Sequence, residues 1–171
     1  MLNINDHLSK HKKGENFIYI IDNIDHFYFA SSFVKDMINK KFDLQINDKD
    51  HVYPTLSKSN RFLKDKNISS FNSEYITLLD AHTLKGGVLF SELIKLNPTL
   101  SFLAIKTEHE ENGPNAIQEA INIVNNGKNK LLLERVNNVR EIYNKTKILL
   151  CPTQLDETFC RVVYEAFQNE I

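Results

Sequence analysis

The sequence predicts an α/β chain built on a parallel, doubly wound sheet. Short β-branched and aromatic runs alternate with segments of helical spacing, which is the signature of strand–helix–strand units. A long polar stretch divides the chain, and 42% of its 171 residues are hydrophobic, enough for one ordinary core and part of a second.

Before the polar stretch, residues 16–21 and 26–30 read as buried strands. Ser31 and Ser32 offer a cap to a helix over Phe33–Lys41, where Phe33, Val34, Met37 and Ile38 recur at helical spacing. Residues 43–73 are polar and irregular except at Val52-Tyr53-Pro54, and read as a connection between two packed bodies. This leaves a βα portion at 1–42 and a second domain at 74–171.

In the second part, Tyr75–Leu79 is an expected strand, Lys85-Gly86-Gly87 a turn, and Val88–Leu96 a helix stopped by Asn97-Pro98. Leu100–Ile105 follows as a strand. Pro114 and Gly127 then bracket a helix with Ile117, Ala120, Ile121 and Val124 on one face. Lys130–Val136 fits strand or helix. A helix over Val139–Tyr143, a strand over Lys147–Cys151 and a helix over Phe159–Gln168 complete the order.

The 21 basic residues against 22 acidic ones give a net charge of −1, so no global field favours nucleic acid or an anionic membrane, and an anion must be bound locally. The longest apolar run, Phe17–Ile21, is far short of the roughly 20 residues of a spanning helix. Peripheral membrane contact stays open. Cys151 and Cys160 are the two cysteines, and no signal peptide opens the chain, so both thiols are expected to be reduced and the chain cytoplasmic.

Ligands of an open α/β sheet bind beyond the carboxyl ends of its strands. Two loops have that address. Asp80 to Gly87 sets Lys85 beside Gly86 and Gly87 at a helix start, where amides, helix dipole and ammonium all favour a phosphate; an exposed lysine on a glycine turn fits the same residues. Pro152 to Phe159 leads into the helix of Glu165, with Glu157 at its mouth. Along a helix the two carboxylates stand about 12 Å apart, suited to two hydroxyl pairs of one elongated ligand. Alternatively, Glu157 complements the helix dipole and Glu165 is solvated.

The run TKILLCPTQLDETFCRVVYEAFQNEI resembles the donor-binding signature of retaining GT-B glycosyltransferases related to glycogen synthase and bacterial mannosyltransferases, the group 1 glycosyltransferases. That signature is a strand, Pro-Ser, a short loop, Glu-x-Phe-Gly, and a second Glu eight residues after the first. Glu157, Phe159 and Glu165 fall in place. TLKGGVLFSELIKLNPTLSFLAI resembles the family's lysine–glycine turn, helix and next strand, and HFYFASSFVKDMINKKF with VYP resembles its last N-terminal unit and crossover. The likeness runs over residues 16–171 in the family's order.

The resemblance implies an incomplete Rossmann-like sheet and transfer of a sugar from a nucleotide sugar, with retention and with neither metal nor cofactor. Glu165 would hold the ribose diol and Glu157 the donor-sugar hydroxyls. Lys85, beside Gly86, would neutralise the departing diphosphate, and the amides of Thr158, Phe159 and Cys160 would fix the sugar. The acceptor would be a sugar, glycan or glycolipid. It also implies an absent N-terminal half, so that the chain alone transfers nothing and self-associates through an exposed edge.

The chain departs from the pattern in four places: no arginine lies in Leu79–Leu84, Thr153 replaces serine, and Cys160 and Glu170 replace glycines. A non-catalytic nucleotide- or protein-binding module is the alternative.

Other patterns carry less. Asp48-Lys49-Asp50 is a literal Asp-x-Asp but lies in the polar connection and reads as a solvated turn. His7 and His11 lack a third ligand, and His109 among Glu108, Glu110 and Glu111 reads as an exposed charged loop. Cys160 at a helix start has the position of an activated thiol, but no histidine lies near it in sequence, so the inert reading is preferred.

Overall fold

The computed structural model describes residues 25–42, 50–53, 62–108, 110–124 and 129–171. The expected strand at 16–21 and the residues His7, His11, Asp48, His109 and Gly127 lie outside these. The chain divides into two units, Met1–Thr55 and Leu56–Ile171.

In the first unit, strand β1 (Phe27–Phe29) leads into helix α1 (Ser32–Phe42) and strand β2 (Asp50–Val52). The Ser31 hydroxyl accepts from the Val34 amide at 3.3 Å, the N-cap its position promised. β1 and β2 pair in parallel, Tyr28 opposite His51. Phe29 and Val34 are buried with Ile38 packed on them, whereas Phe33 is turned outward. β2 is a strand inside the stretch expected to be irregular. Three residues are too few for a period-2 pattern to show, and it is pairing with β1 that orders them.

The second unit holds β3 (Tyr75–Leu78), α2 (Gly87–Leu96), β4 (Phe102–Ile105), α3 (Asn112–Ile123), β5 (Lys130–Leu133), α4 (Val139–Tyr143), β6 (Thr146–Leu149) and α5 (Arg161–Gln168). The ambiguous segment after Gly127 is thus a strand over its first four residues. The sheet runs β5-β4-β3-β6, every described pair parallel. β4, buried along its whole length, sits centrally, which is why it reads as an uninterrupted apolar run. One face carries Leu78, Phe102 and Ala104 against Phe90 and Ile94 of α2 and Ile117 and Ala120 of α3. The Phe90 and Phe102 rings meet edge to face at 5.4 Å. The other face carries Leu103 and Ile105 against Ile142 of α4. Between β3 and β6 the buried hydroxyls of Thr77 and Thr146 bond at 2.9 Å, and Thr146 donates onward to the Ile142 carbonyl.

The strand order reverses between β3 and β6, since the chain steps from β3 through β4 to β5 and then returns to the far side of β3. In open α/β sheets the ligand crevice lies at such a reversal, here beyond the carboxyl ends of β3 and β6. No helix among the described residues is long and apolar enough to cross a membrane.

α5 ends in a Schellman motif: the Glu170 amide reaches the Phe167 carbonyl at 3.1 Å and the Ile171 amide the Ala166 carbonyl at 3.1 Å. The motif requires a left-handed residue, and Glu170 supplies it at φ 55°. A side chain in that region costs about 1 kcal/mol. Glu170→Gly is therefore expected to raise stability by about 0.5–1 kcal/mol, read as an upward shift of the urea midpoint at unchanged slope.

Candidate functional site

Both loops at the crevice are held by specific contacts. After β3, the Ala81 amide bonds the Ile105 carbonyl at 2.9 Å, and the Asp80 carboxylate accepts from the His82 amide at 3.1 Å. His82 Nδ1 accepts from the Leu84 amide at 3.0 Å, which places the ring proton on Nε2. Residues 83–85 then make one 3₁₀ turn, closed by Gly86 at φ +96°. A side chain on Gly86 would be both strained and driven into the Pro152 ring. The first i→i−4 bond of α2 runs from the Phe90 amide to the Gly86 carbonyl, so the amides of Val88 and Leu89 point out of the helix start.

After β6, Pro152 packs on Gly86 and the Gln154 amide bonds the Leu84 carbonyl at 2.8 Å, which ties the two loops together. The Thr153 hydroxyl accepts from the Leu155 amide at 3.2 Å. Lys85 Nζ and Glu157 Oε1, 72 residues apart in sequence, form an ion pair across the crevice. Each side chain keeps more than a quarter of its surface exposed, 29% and 26%, so solvent or a ligand reaches the pair. Among the described residues no acceptor takes the amides of Thr158, Phe159 or Cys160.

Glu165 is placed differently from its partner in the sequence pattern. It is 6% exposed, its Oε2 accepts the Tyr143 hydroxyl at 3.0 Å, and its Oε1 faces the Arg161 guanidinium at 3.5 Å. Burial first, and then the Glu165 carboxylate, push the Tyr143 hydroxyl well above its usual range, so it remains a donor. Arg161 itself is 65% exposed. Glu165 is thus neither fully solvated nor open on both oxygens: Tyr143 occupies Oε2 and Arg161 stands against Oε1.

Glu110 corrects the reading of its segment as an exposed charged loop. It is half-buried: one carboxylate oxygen accepts the Thr83 amide at 2.8 Å, the other the Thr83 hydroxyl at 3.0 Å, and the Gly113 amide adds a bond of 3.1 Å. Glu108 does pair at the surface, with Arg135. Burial raises the Glu110 carboxyl, but the Thr83, Gly113 and Asn112 hydrogen bonds together outweigh it and hold the group below its usual range. The signal in the sequence was a carboxylate at Glu110, just ahead of a Gly-Pro helix start with free first-turn amides. Tyr143 carried no such signal.

No three His, Cys, Asp or Glu side chains among the described residues gather as a metal site would require. Cys151 and Cys160 are both free, with their sulfurs 3.2 Å apart.

Neither a protein-family model nor a curated protein matches the sequence. Solved structures do. A glycosyltransferase from Rickettsia africae ESF-5 superposes with a TM-score of 0.73 at 17% identity, over 94% of this chain and 47% of that one. Sucrose-phosphate synthase from Thermosynechococcus elongatus superposes with a TM-score of 0.62 at 14% identity, over 86% of this chain and 39% of that one. The fold is glycosyltransferase-like. The chain spans less than half the length of either neighbour.

Because the folded Glu110 pKa lies below its unfolded value, its contribution to stability is present above the unfolded pKa and lost as pH falls through the folded one. The stability gap between the parent chain and Glu110→Gln is expected to be flat from pH 7 to about 5 and to shrink at lower pH. Urea titrations at each pH measure it, and a constant gap would assign Glu110 a role independent of its charge.

Proposed function

We propose that the chain is the donor-binding part of a retaining, metal-independent GT-B glycosyltransferase that takes its sugar from a nucleotide sugar. The observation that carries this reading is the meeting of Lys85 and Glu157 from two different loops at the reversal of strand order. A diphosphate would draw Lys85 away from Glu157, with the Val88 and Leu89 amides adding donors at the α2 start. Glu157, released from the ammonium, would accept hydroxyls of the sugar, held also by the Thr158, Phe159 and Cys160 amides. The ribose diol would displace Arg161 from Oε1 of Glu165 while Tyr143 keeps Oε2. Departure of the nucleotide concentrates negative charge at the diphosphate, where fixed positive charge and aligned amides stabilise it most. The acceptor, a sugar, glycan or glycolipid, would be held by residues outside this chain.

A second reading, a non-catalytic nucleotide-binding module, draws support from two features: Glu165 is engaged on both oxygens, and Cys160 stands at a position the sugar would approach. Donor hydrolysis by this chain joined to an acceptor-binding half separates the two readings, since only the first allows it.

Titration calorimetry with a nucleoside diphosphate and with the matching nucleoside tests the site. Lys85→Ala is expected to weaken the diphosphate by roughly tenfold or more and the nucleoside little, because only the diphosphate carries the charge that Lys85 neutralises. Equal losses would make Lys85 structural. Glu165→Gln, which keeps an acceptor for Tyr143, is expected to weaken both ligands, and unchanged affinity would remove the ribose role. Excess chelator is expected to leave all affinities as they are; a loss restored by Mg²⁺ would overturn the metal-independent reading.

A further inference from the structure

Cys151 follows β6 by two residues and Cys160 immediately precedes α5, so the loop 152–159 leaves and returns between two sulfurs 3.2 Å apart. Both are accessible, Cys151 exposed and Cys160 half-buried. A disulfide needs the sulfurs at about 2.0 Å, roughly one ångström closer. The loop's anchors to the facing loop are the Gln154 amide on Leu84, the Glu157–Lys85 pair and the Pro152 contact with Gly86, whereas among the described residues Phe159 and Cys160 are held only to the start of α5, by the Arg161 amide on the Phe159 carbonyl at 2.9 Å, the Phe159 ring on Tyr164 and the Tyr164 amide on the Cys160 carbonyl at 3.3 Å.

We propose that Cys151 and Cys160 are an oxidisable dithiol, which a hydroperoxide converts into an intrachain disulfide that fastens the loop 152–159 shut at its base.

The two thiols take different parts. Burial, and then the Cys160 sulfur beside it, push the Cys151 thiol up to about 11, so it keeps its proton near neutrality. The attacking role is assigned to Cys160, which immediately precedes α5. Its thiolate takes the terminal oxygen of the peroxide, the O–O bond breaks, and a sulfenic acid and one water result once the leaving oxygen is protonated. The Cys151 sulfur then attacks the Cys160 sulfur. The S–O bond breaks as the S–S bond forms, and the leaving hydroxide takes the Cys151 proton as a second water. Two thiols and one hydrogen peroxide thus give one disulfide and two waters.

The position of Glu157 inside the loop supplies the test. The full chain is treated with limiting hydrogen peroxide, and its intact mass and free thiols are measured. Loss of two hydrogens and of both thiols, with no change in chain number and with recovery by a dithiol reductant, is expected; disulfide-linked dimers or independent overoxidation of each cysteine would overturn the proposal. Cys151→Ser is expected to halt at a Cys160 sulfenic acid that a dione reagent traps, whereas an unreactive Cys160 would refute the assigned order. Glutamyl endopeptidase then cuts after Glu157. Oxidation is expected to slow that cut at least about tenfold, because closing so short a loop removes much of its opening freedom. The two peptides that this cut creates, one carrying Cys151 and the other Cys160, are expected to stay joined until reduced. An unchanged rate of cutting after Glu157, or separation of the Cys151 and Cys160 peptides without reductant, would show that no bond spans the loop.

Discussion

The carbonyl of Ala81 lies where side chains on two glycines would otherwise be. An added Cβ would stand 2.0 Å from it on Gly87 and 1.9 Å on Gly113, far inside contact distance. α2 and α3 consequently begin against the same peptide group, just beyond the ends of β3 and β4, and no larger residue is compatible with that approach. With Ala81 fixed, Glu110 at the α3 start reaches Thr83 and holds the following 3₁₀ turn, and Gly86 redirects the chain into α2 against Pro152. Lys85 leaves that turn toward Glu157. The address of the ammonium is therefore set by backbone packing two turns away rather than by its own contacts.

The opposite wall depends on a different kind of constraint. β6 pairs with β3 alone among the described residues, and the segments around it are held largely by polar bonds. Asn169, 2% exposed, accepts the Lys64 amide at 2.6 Å and donates to the Phe62 and Glu165 carbonyls, and its own carbonyl accepts the Ser70 hydroxyl. Such a buried amide is costly unless each partner is present, so it fixes the end of α5 to one arrangement. The Glu165–Tyr143 bond does the same one turn earlier. Outside this network Phe71 and Phe167 remain largely exposed, and Ile148 and Val163 about half exposed.

The likeness to glycosyltransferases at 14–17% identity is a likeness of backbone. A parallel sheet with helices on both faces accepts many apolar combinations of similar volume, so sequence comparison falls silent before fold comparison does. The places where this chain departs from the resemblance show how substitutions are absorbed. Glu170 adopts the left-handed conformation that a glycine would take without strain, and Cys160 retains its amide while bringing a thiol beside Cys151.

By itself the sequence determined the order of strands and helices in the second unit except at Lys130–Val136, where strand and helix both fitted, because apolar spacing and the Pro and Gly stops are local properties of the chain. It also singled out Lys85 and Glu157, since a cation beside two glycines and a carboxylate at a helix mouth are local patterns too. It did not reveal that β2 is a strand, that Glu110 is a brace for the loop after β3, or that Glu165 is buried under Tyr143. Each of these depends on a partner between 22 and 27 residues away. The contact of Lys85 with Glu157, 72 residues apart, needed the reversal of strand order between β3 and β6. Only the tertiary structure closes such separations, because the energy that holds them comes from burying the sheet between its helices and not from any run of neighbouring residues.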